Sequence, residues 1–106
     1  MALEINLQNH DQEVNKSTLP VVIDMFAPWC GPCQLMAPIF DELAKELAAK
    51  YKLVKINIDN ERDLAVKYKV SSIPTFVFVT DGAMVDKATG YMSKDVLKQK
   101  IMSVLK

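Results

Sequence analysis

Pro20-Val21-Val22-Ile23-Asp24-Met25-Phe26-Ala27-Pro28-Trp29-Cys30-Gly31-Pro32-Cys33 is the stretch on which the reading of this chain turns. Its first eight residues are apolar on both faces except for Asp24. A near-continuous apolar run bounded by prolines reads as a central strand covered on both sides. Pro20 is tolerated as the first residue of such a strand. On either face Asp24 is expected to be buried, where a carboxylate is costly unless neutral or paired. Both cysteines of the chain then follow, two residues apart around Gly31-Pro32. Side chains at that spacing can close a small disulfide ring or open to a dithiol, which suits them to passing two electrons to other disulfides. A structural staple across so short a loop would constrain the unfolded chain very little. A zinc site needs about four ligands, and beyond the two sulfurs the chain offers one histidine, His10. The spacing beside a strand-helix-strand pattern favours redox chemistry.

Downstream of the cysteines the pattern turns helical from Gly31 to Tyr51. Leu35, Ile39, Leu43 and Leu47 recur every four residues, beside Met36, Phe40, Ala44, Ala48 and Tyr51, as a core-facing stripe. Asp41 with Lys45, and Glu46 with Lys50, are spaced to pair across a turn. Pro32 suits the first turn of a helix, whereas Pro38 predicts a kink. Leu53 to Asp59 alternates as a second strand. Strand, helix and strand make a parallel unit with a right-handed crossover. Ligands in such sheets meet the carboxyl ends of the strands, which places Cys30 at the sheet rim where the helix begins.

Upstream, Leu3 to Leu7 alternates as a half-buried strand, and the polar stretch from Gln8 to Leu19 reads as a short helix with Val14 its main apolar point. His10 in that stretch reads as a solvated or capping residue. Toward the carboxyl end, Asn60 is a candidate cap for a helix through Tyr68, with Leu64, Ala65 and Tyr68 inward. Ser71-Ser72-Ile73-Pro74-Thr75 breaks the chain before a strand over Thr75–Thr80. Asp81-Gly82 predicts a hairpin turn into an antiparallel strand from Ala83 to Thr89, and Gly90 ends the sheet. Ser93 caps a last helix with Val96, Leu97, Ile101, Val104 and Leu105 inward. No repeat, linker or low-complexity segment interrupts the 106 residues, which read as a single domain, 1–106.

Thirteen basic residues balance thirteen acidic ones, which argues against a nucleic-acid or anionic-membrane partner. No apolar run approaches the roughly 18 residues of a membrane helix. With Met1 as the true start and no apolar signal core behind it, the expected location is the cytoplasm, where structural disulfides are rare; a trimmed secreted domain is the alternative.

The order of elements, together with Trp29-Cys30-Gly31-Pro32-Cys33, an acid six residues before the first cysteine and Ile73-Pro74-Thr75 behind it, resembles the thioredoxin family over essentially the whole chain. The resemblance implies an α/β fold with a central mixed sheet, parallel plus antiparallel, flanked by helices on both faces. It implies a general protein-disulfide reductase that binds no cofactor or metal and acts as a monomer. Its partners would be disulfide-containing substrate proteins and thioredoxin reductase, a flavoprotein passing on electrons from NADPH. It further implies that Pro74 is cis and lies against the cysteines.

Phe26, Gln34, Lys69 and Tyr91 depart from the family pattern, which commonly has tryptophan, a basic residue, glycine and a small residue there. These departures bear on partner preference and leave the sulfur chemistry alone.

In this reading Cys30 is the nucleophile, since a helix amino terminus favours thiolate over thiol, and Cys33 is the resolving thiol. Gly31 and Pro32 hold the sulfurs in reach. Asp24 is the candidate base for Cys33, with a purely structural acid as the alternative. Lys55 is the cation nearest Asp24, or else a plain surface lysine. Trp29, Ile73 and Gly90 offer an apolar landing surface for substrate. Two rival functions stand beside the reductase: an oxidase or isomerase of a secretory pathway, and a non-enzymatic module docking through the surface around Trp29.

Overall fold

The structure is a computed structural model describing residues 2–106. Five strands form one mixed sheet in the order β1-β3-β2-β4-β5. They are β1 (Leu3–Glu4), β2 (Val21–Phe26), β3 (Lys52–Asn57), β4 (Thr75–Thr80) and β5 (Ala83–Thr89). β2 lies at the centre, parallel to β3 and antiparallel to β4, as its apolar run requires. The helices are α1 (Gly31–Glu46), α2 (Arg62–Lys67) and α3 (Lys94–Val104).

Alternation along β2 divides the core in two. Val21, Ile23 and Met25 join Val54, Ile56, Val77 and Val79 under α2, where Leu64 and Tyr68 cover them. Val22 points the other way, into a cluster with Met36, Phe40 and Leu43 of α1 and Leu97 and Ile101 of α3. The period of two puts Asp24 and Phe26 on that second face, beneath α1.

Several sequence expectations need correction. The first strand keeps only Leu3–Glu4, with the Ile5 N–H donating to the Lys55 carbonyl at 2.7 Å. The expected first helix is a single π-helical turn over Asp11–Asn15. His10 is not solvated: it holds the amino-cap position of that turn without a side-chain capping bond, it is buried, and its Nε2 meets the Tyr68 hydroxyl at 2.5 Å. α1 stops at Glu46 rather than Tyr51, and Leu35 is exposed, because the core-facing stripe runs through Met36, Phe40 and Leu43. Glu46 pairs with Lys94 and Lys98 of α3, across the helix pair and not along its own helix, while Asp41 accepts the Ala2 N–H at 3.0 Å. The residue at the amino cap of α2 is Glu61, so Asn60 does not cap it. Val96 is exposed on the outer side of α3.

The carboxyl-terminal half follows its pattern closely. β4 and β5 have the expected bounds, and both Asp81 and Gly82 take positive φ in the turn between them. Val85 is the extra residue of a bulge opposite Phe78 and Val79. The Ser93 hydroxyl accepts the Val96 N–H and caps α3. Lys69 ends the α2 segment at φ +56°, the left-handed conformation that glycine adopts freely.

Candidate functional site

Three chain segments converge on one rim of the sheet because of strand direction alone. β2 and β3 are parallel, so the residues after both lie there; β4 runs the other way, so the residues before it do too. β5 returns antiparallel and brings Gly90 to the same edge, where its N–H donates to the Pro74 carbonyl at 2.8 Å.

Cys30 and Cys33 are joined as a disulfide at the head of α1. Cys30 is the amino cap, with extended backbone, and its Sγ accepts the Cys33 N–H at 3.2 Å. Its carbonyl accepts the Gln34 N–H. Pro32 falls in the first turn, where a missing N–H removes no helical bond. α1 then continues through Pro38. A Cβ at Gly31 would meet nothing within 4 Å, so this turn is open to solvent.

The Ile73-Pro74 bond is cis, as the resemblance implied. The Ile73 carbonyl oxygen lies 4.0 Å from Cys30 Sγ, and the Ile73 side chain packs with Phe26 against the cluster formed by Ala27, Cys30 and Cys33. Trp29 is 70% exposed, with its indole N–H donating to Asp59 Oδ2 at 3.0 Å. Tyr91 is exposed beside Gly90.

Behind the sulfurs, a cleft of about 110 Å³ is lined by Asp24, Phe26, Cys33, Gln34, Ala37 and Lys55 among others. Asp24 is 1% exposed, and its Oδ1 has no hydrogen-bond partner among the described residues. Burial is the main cause that pushes its pKa up to about 7; Lys55 opposes this and Asp41 adds to it. Lys55 is level with Asp24 in the β2–β3 register, but its ammonium sits 4.6 Å from the centre of the Phe26 ring.

All ten residues singled out from the sequence therefore lie at or just behind this rim. Four residues make contacts here that the sequence reading did not assign to them. Asp59 steers Trp29, and the Gln34 side-chain amide donates to the Pro28 carbonyl at 2.8 Å. The Phe26 ring lies against the Lys55 ammonium, and Asp41 adds its charge to the field at Asp24. Asp59 was within reach of pattern reasoning, since it follows a strand parallel to the one that leads to Trp29. The contributions of Phe26 and Asp41 depend on side-chain direction, which spacing does not reveal. Among the described residues no cluster of acidic, histidine and cysteine side chains could hold a metal ion, and no helix is long and apolar enough to cross a membrane.

A family model described as Thioredoxin matches residues 1–103. A chloroplastic M-type thioredoxin of Pisum sativum is 44% identical over 97 residues, 92% of this chain and 56% of that relative. Thioredoxin 1 of a Nostoc species is 39% identical over 100 residues, 94% of each chain. A thioredoxin of Haemophilus influenzae is 40% identical over 95 residues, 90% of this chain and 89% of the relative. The chain thus spans little more than half of the pea protein and nearly all of the other two. It belongs to the thioredoxin family, and it is a thiol-disulfide oxidoreductase of the protein-disulfide reductase type.

Proposed function

We propose that this member of the thioredoxin family works as a general reductant of protein disulfides, with Cys30 attacking and Cys33 resolving. The Cys30 thiolate attacks one sulfur of a substrate disulfide. A mixed disulfide forms, and the other substrate sulfur leaves as a thiolate that takes a proton from water. Asp24 takes the proton of the Cys33 thiol. The Cys33 thiolate then attacks Cys30 Sγ, closes the intramolecular disulfide and expels the second substrate thiolate, which is protonated in turn. Two electrons and two protons have then passed to the substrate.

The observation that carries this reading is the shared position of Asp24 and Cys33 in one narrow cleft behind a disulfide at a helix amino terminus. The unpaired N–H groups of that helix start and its macrodipole support Cys30 as the thiolate. An acid whose pKa lies near neutrality is matched to accepting a thiol proton and releasing it again. Trp29, Gly31, Pro32, Ile73, Pro74 and Gly90 form the surface that a substrate chain meets. Lys55 moderates the charge of Asp24.

No bound cofactor takes part. The oxidised pair is returned to the dithiol by a flavoprotein thioredoxin reductase drawing on NADPH, and the chain acts as one monomeric domain. A reducing compartment such as the cytoplasm suits a chain whose only cysteines are the reactive pair. The test is turnover of a protein disulfide under NADPH and thioredoxin reductase. Wild type should turn over and the Cys30→Ser, Cys33→Ser double variant should not. Equal activity of both would leave a docking module in place of the reductase.

A further inference from the structure

Lys55 stands level with Asp24 on the neighbouring strand, yet the two form no ion pair among the described residues, and Asp24 Oδ1 is left without a partner. The ammonium instead lies 4.6 Å from the centre of the Phe26 ring, on the wall of the same cleft. An aromatic face attracts a cation by its quadrupole, more so where water is partly excluded. The ring and the carboxyl therefore compete for one ammonium.

We propose that Phe26 is a positioning residue for the reaction: its ring holds the Lys55 ammonium off Asp24, so that the carboxyl stays basic enough to take the Cys33 proton. A carboxylate paired directly with Lys55 would be a weaker base, because an adjacent positive charge favours the ionised form. The other groups around Asp24 do not substitute for this control. From α1 it faces Cys33 and feels the charge of Asp41, which raises its proton affinity. From β4 its register partner is Phe76, which carries no charge. Among the described residues Lys55 is the one cation that acts on it, so the position of that ammonium is the adjustable element.

This inference rests on Asp24 serving Cys33, and the test separates the two. The side-chain carboxyl carbon of Asp24 is followed by NMR against pH in the oxidised protein, where no thiol titrates. In Phe26→Leu the ammonium is released to the carboxyl, and the Asp24 midpoint should fall by about one pH unit, the scale of a cation–π contact. Phe26→Trp should keep the wild-type midpoint. Leucine could also let water reach Asp24, so the same substitution is made in a Lys55→Met background. There the fall should vanish if the ring acts through the ammonium. An unchanged midpoint in Phe26→Leu, or an equal fall with and without Lys55, overturns the proposal. The pH profile of turnover is measured in parallel. A midpoint that moves as stated while that profile stays fixed would sink the role of Asp24 and leave the Phe26–Lys55 relation standing.

Discussion

Cys30 Sγ accepts the backbone N–H of Cys33 at 3.2 Å, so the first sulfur of the pair is itself the cap of the helix that carries the second. The two cysteines are both buried and share one disulfide, yet they meet different fields. Cys30 Sγ receives one N–H of the helix start, while Cys33 lies a turn inside, on the wall of the cleft that holds Asp24.

That asymmetry predicts unequal reactivity in the reduced protein. A brief pulse of alkylating reagent at neutral pH should modify Cys30 well before Cys33, because the helix start stabilises its thiolate. Peptide mass mapping after quenching reads the ratio. Preferential labelling of Cys33 would reverse the assigned roles.

The same asymmetry predicts which variant traps partners. Cys33→Ser should accumulate mixed disulfides through Cys30, since nothing remains to resolve them. Cys30→Ser should accumulate almost none. Non-reducing electrophoresis after incubation with an oxidised substrate protein compares the two directly, and similar adduct yields would contradict the mechanism.

Asp24 makes the folded state sensitive to pH in a defined direction. Its pKa rises from about 3.8 to about 7 on folding, chiefly through burial. The folded state therefore holds a proton that the unfolded state has lost between those values. Its contribution is intact below the unfolded pKa and is lost progressively as pH rises through 7. Above both values the charged carboxyl costs about 4 kcal/mol. Asp24→Asn should thus be more stable than wild type at pH 8, with the advantage reduced at pH 5, and should resolve mixed disulfides more slowly. Denaturant melts at the two pH values, with turnover beside them, test both halves. An Asn variant less stable at pH 8 with unchanged turnover would make Asp24 a structural acid only.

His10 gives the opposite slope. Burial first and Lys67 second hold its pKa below the ordinary histidine value, so the unfolded state takes up a proton more readily. Its contribution is full above about pH 6.5 and declines as pH falls toward the lower folded value. Tyr68→Phe, which removes the hydroxyl that meets Nε2, should cost about 1–2 kcal/mol at pH 7. His10→Gln should flatten the acid side of the stability profile relative to wild type. A profile unchanged between pH 5 and 7 would show that the His10–Tyr68 contact does not titrate with folding.

Lys69 sits at φ +56° after α2. An L-residue there carries about 1 kcal/mol of strain that glycine avoids. The backbone carbonyl of Lys69 accepts the Lys87 ammonium, a contact that any side chain at position 69 retains. Lys69→Gly should therefore raise stability by about 1 kcal/mol, less the greater freedom glycine has when unfolded. Chemical denaturation at one pH measures it; a loss of stability would mean that the lysine side chain contributes more than its strain.

The amino-acid sequence by itself determined the central strand, the redox pair at its end, the helix that follows and the β4–β5 hairpin. Each rests on a local signal: an apolar run, a cysteine spacing, a turn pair whose two residues take positive φ. Even the burial of Asp24 was legible, because a single acid inside a two-faced apolar strand has nowhere wet to point. Local signals failed where a partner distant in the chain decided the outcome. His10 reads as polar until Tyr68, 58 residues away, encloses it, and Glu46 reads as a partner for Lys50 until α3 presents Lys94 and Lys98. The position of the Lys55 ammonium over Phe26 rather than on Asp24 is of this kind too. It is a competition among three side chains from two strands. Periodicity can put all three on one face, but only the packed tertiary structure settles which contact wins, through the distances and the loss of water that packing imposes.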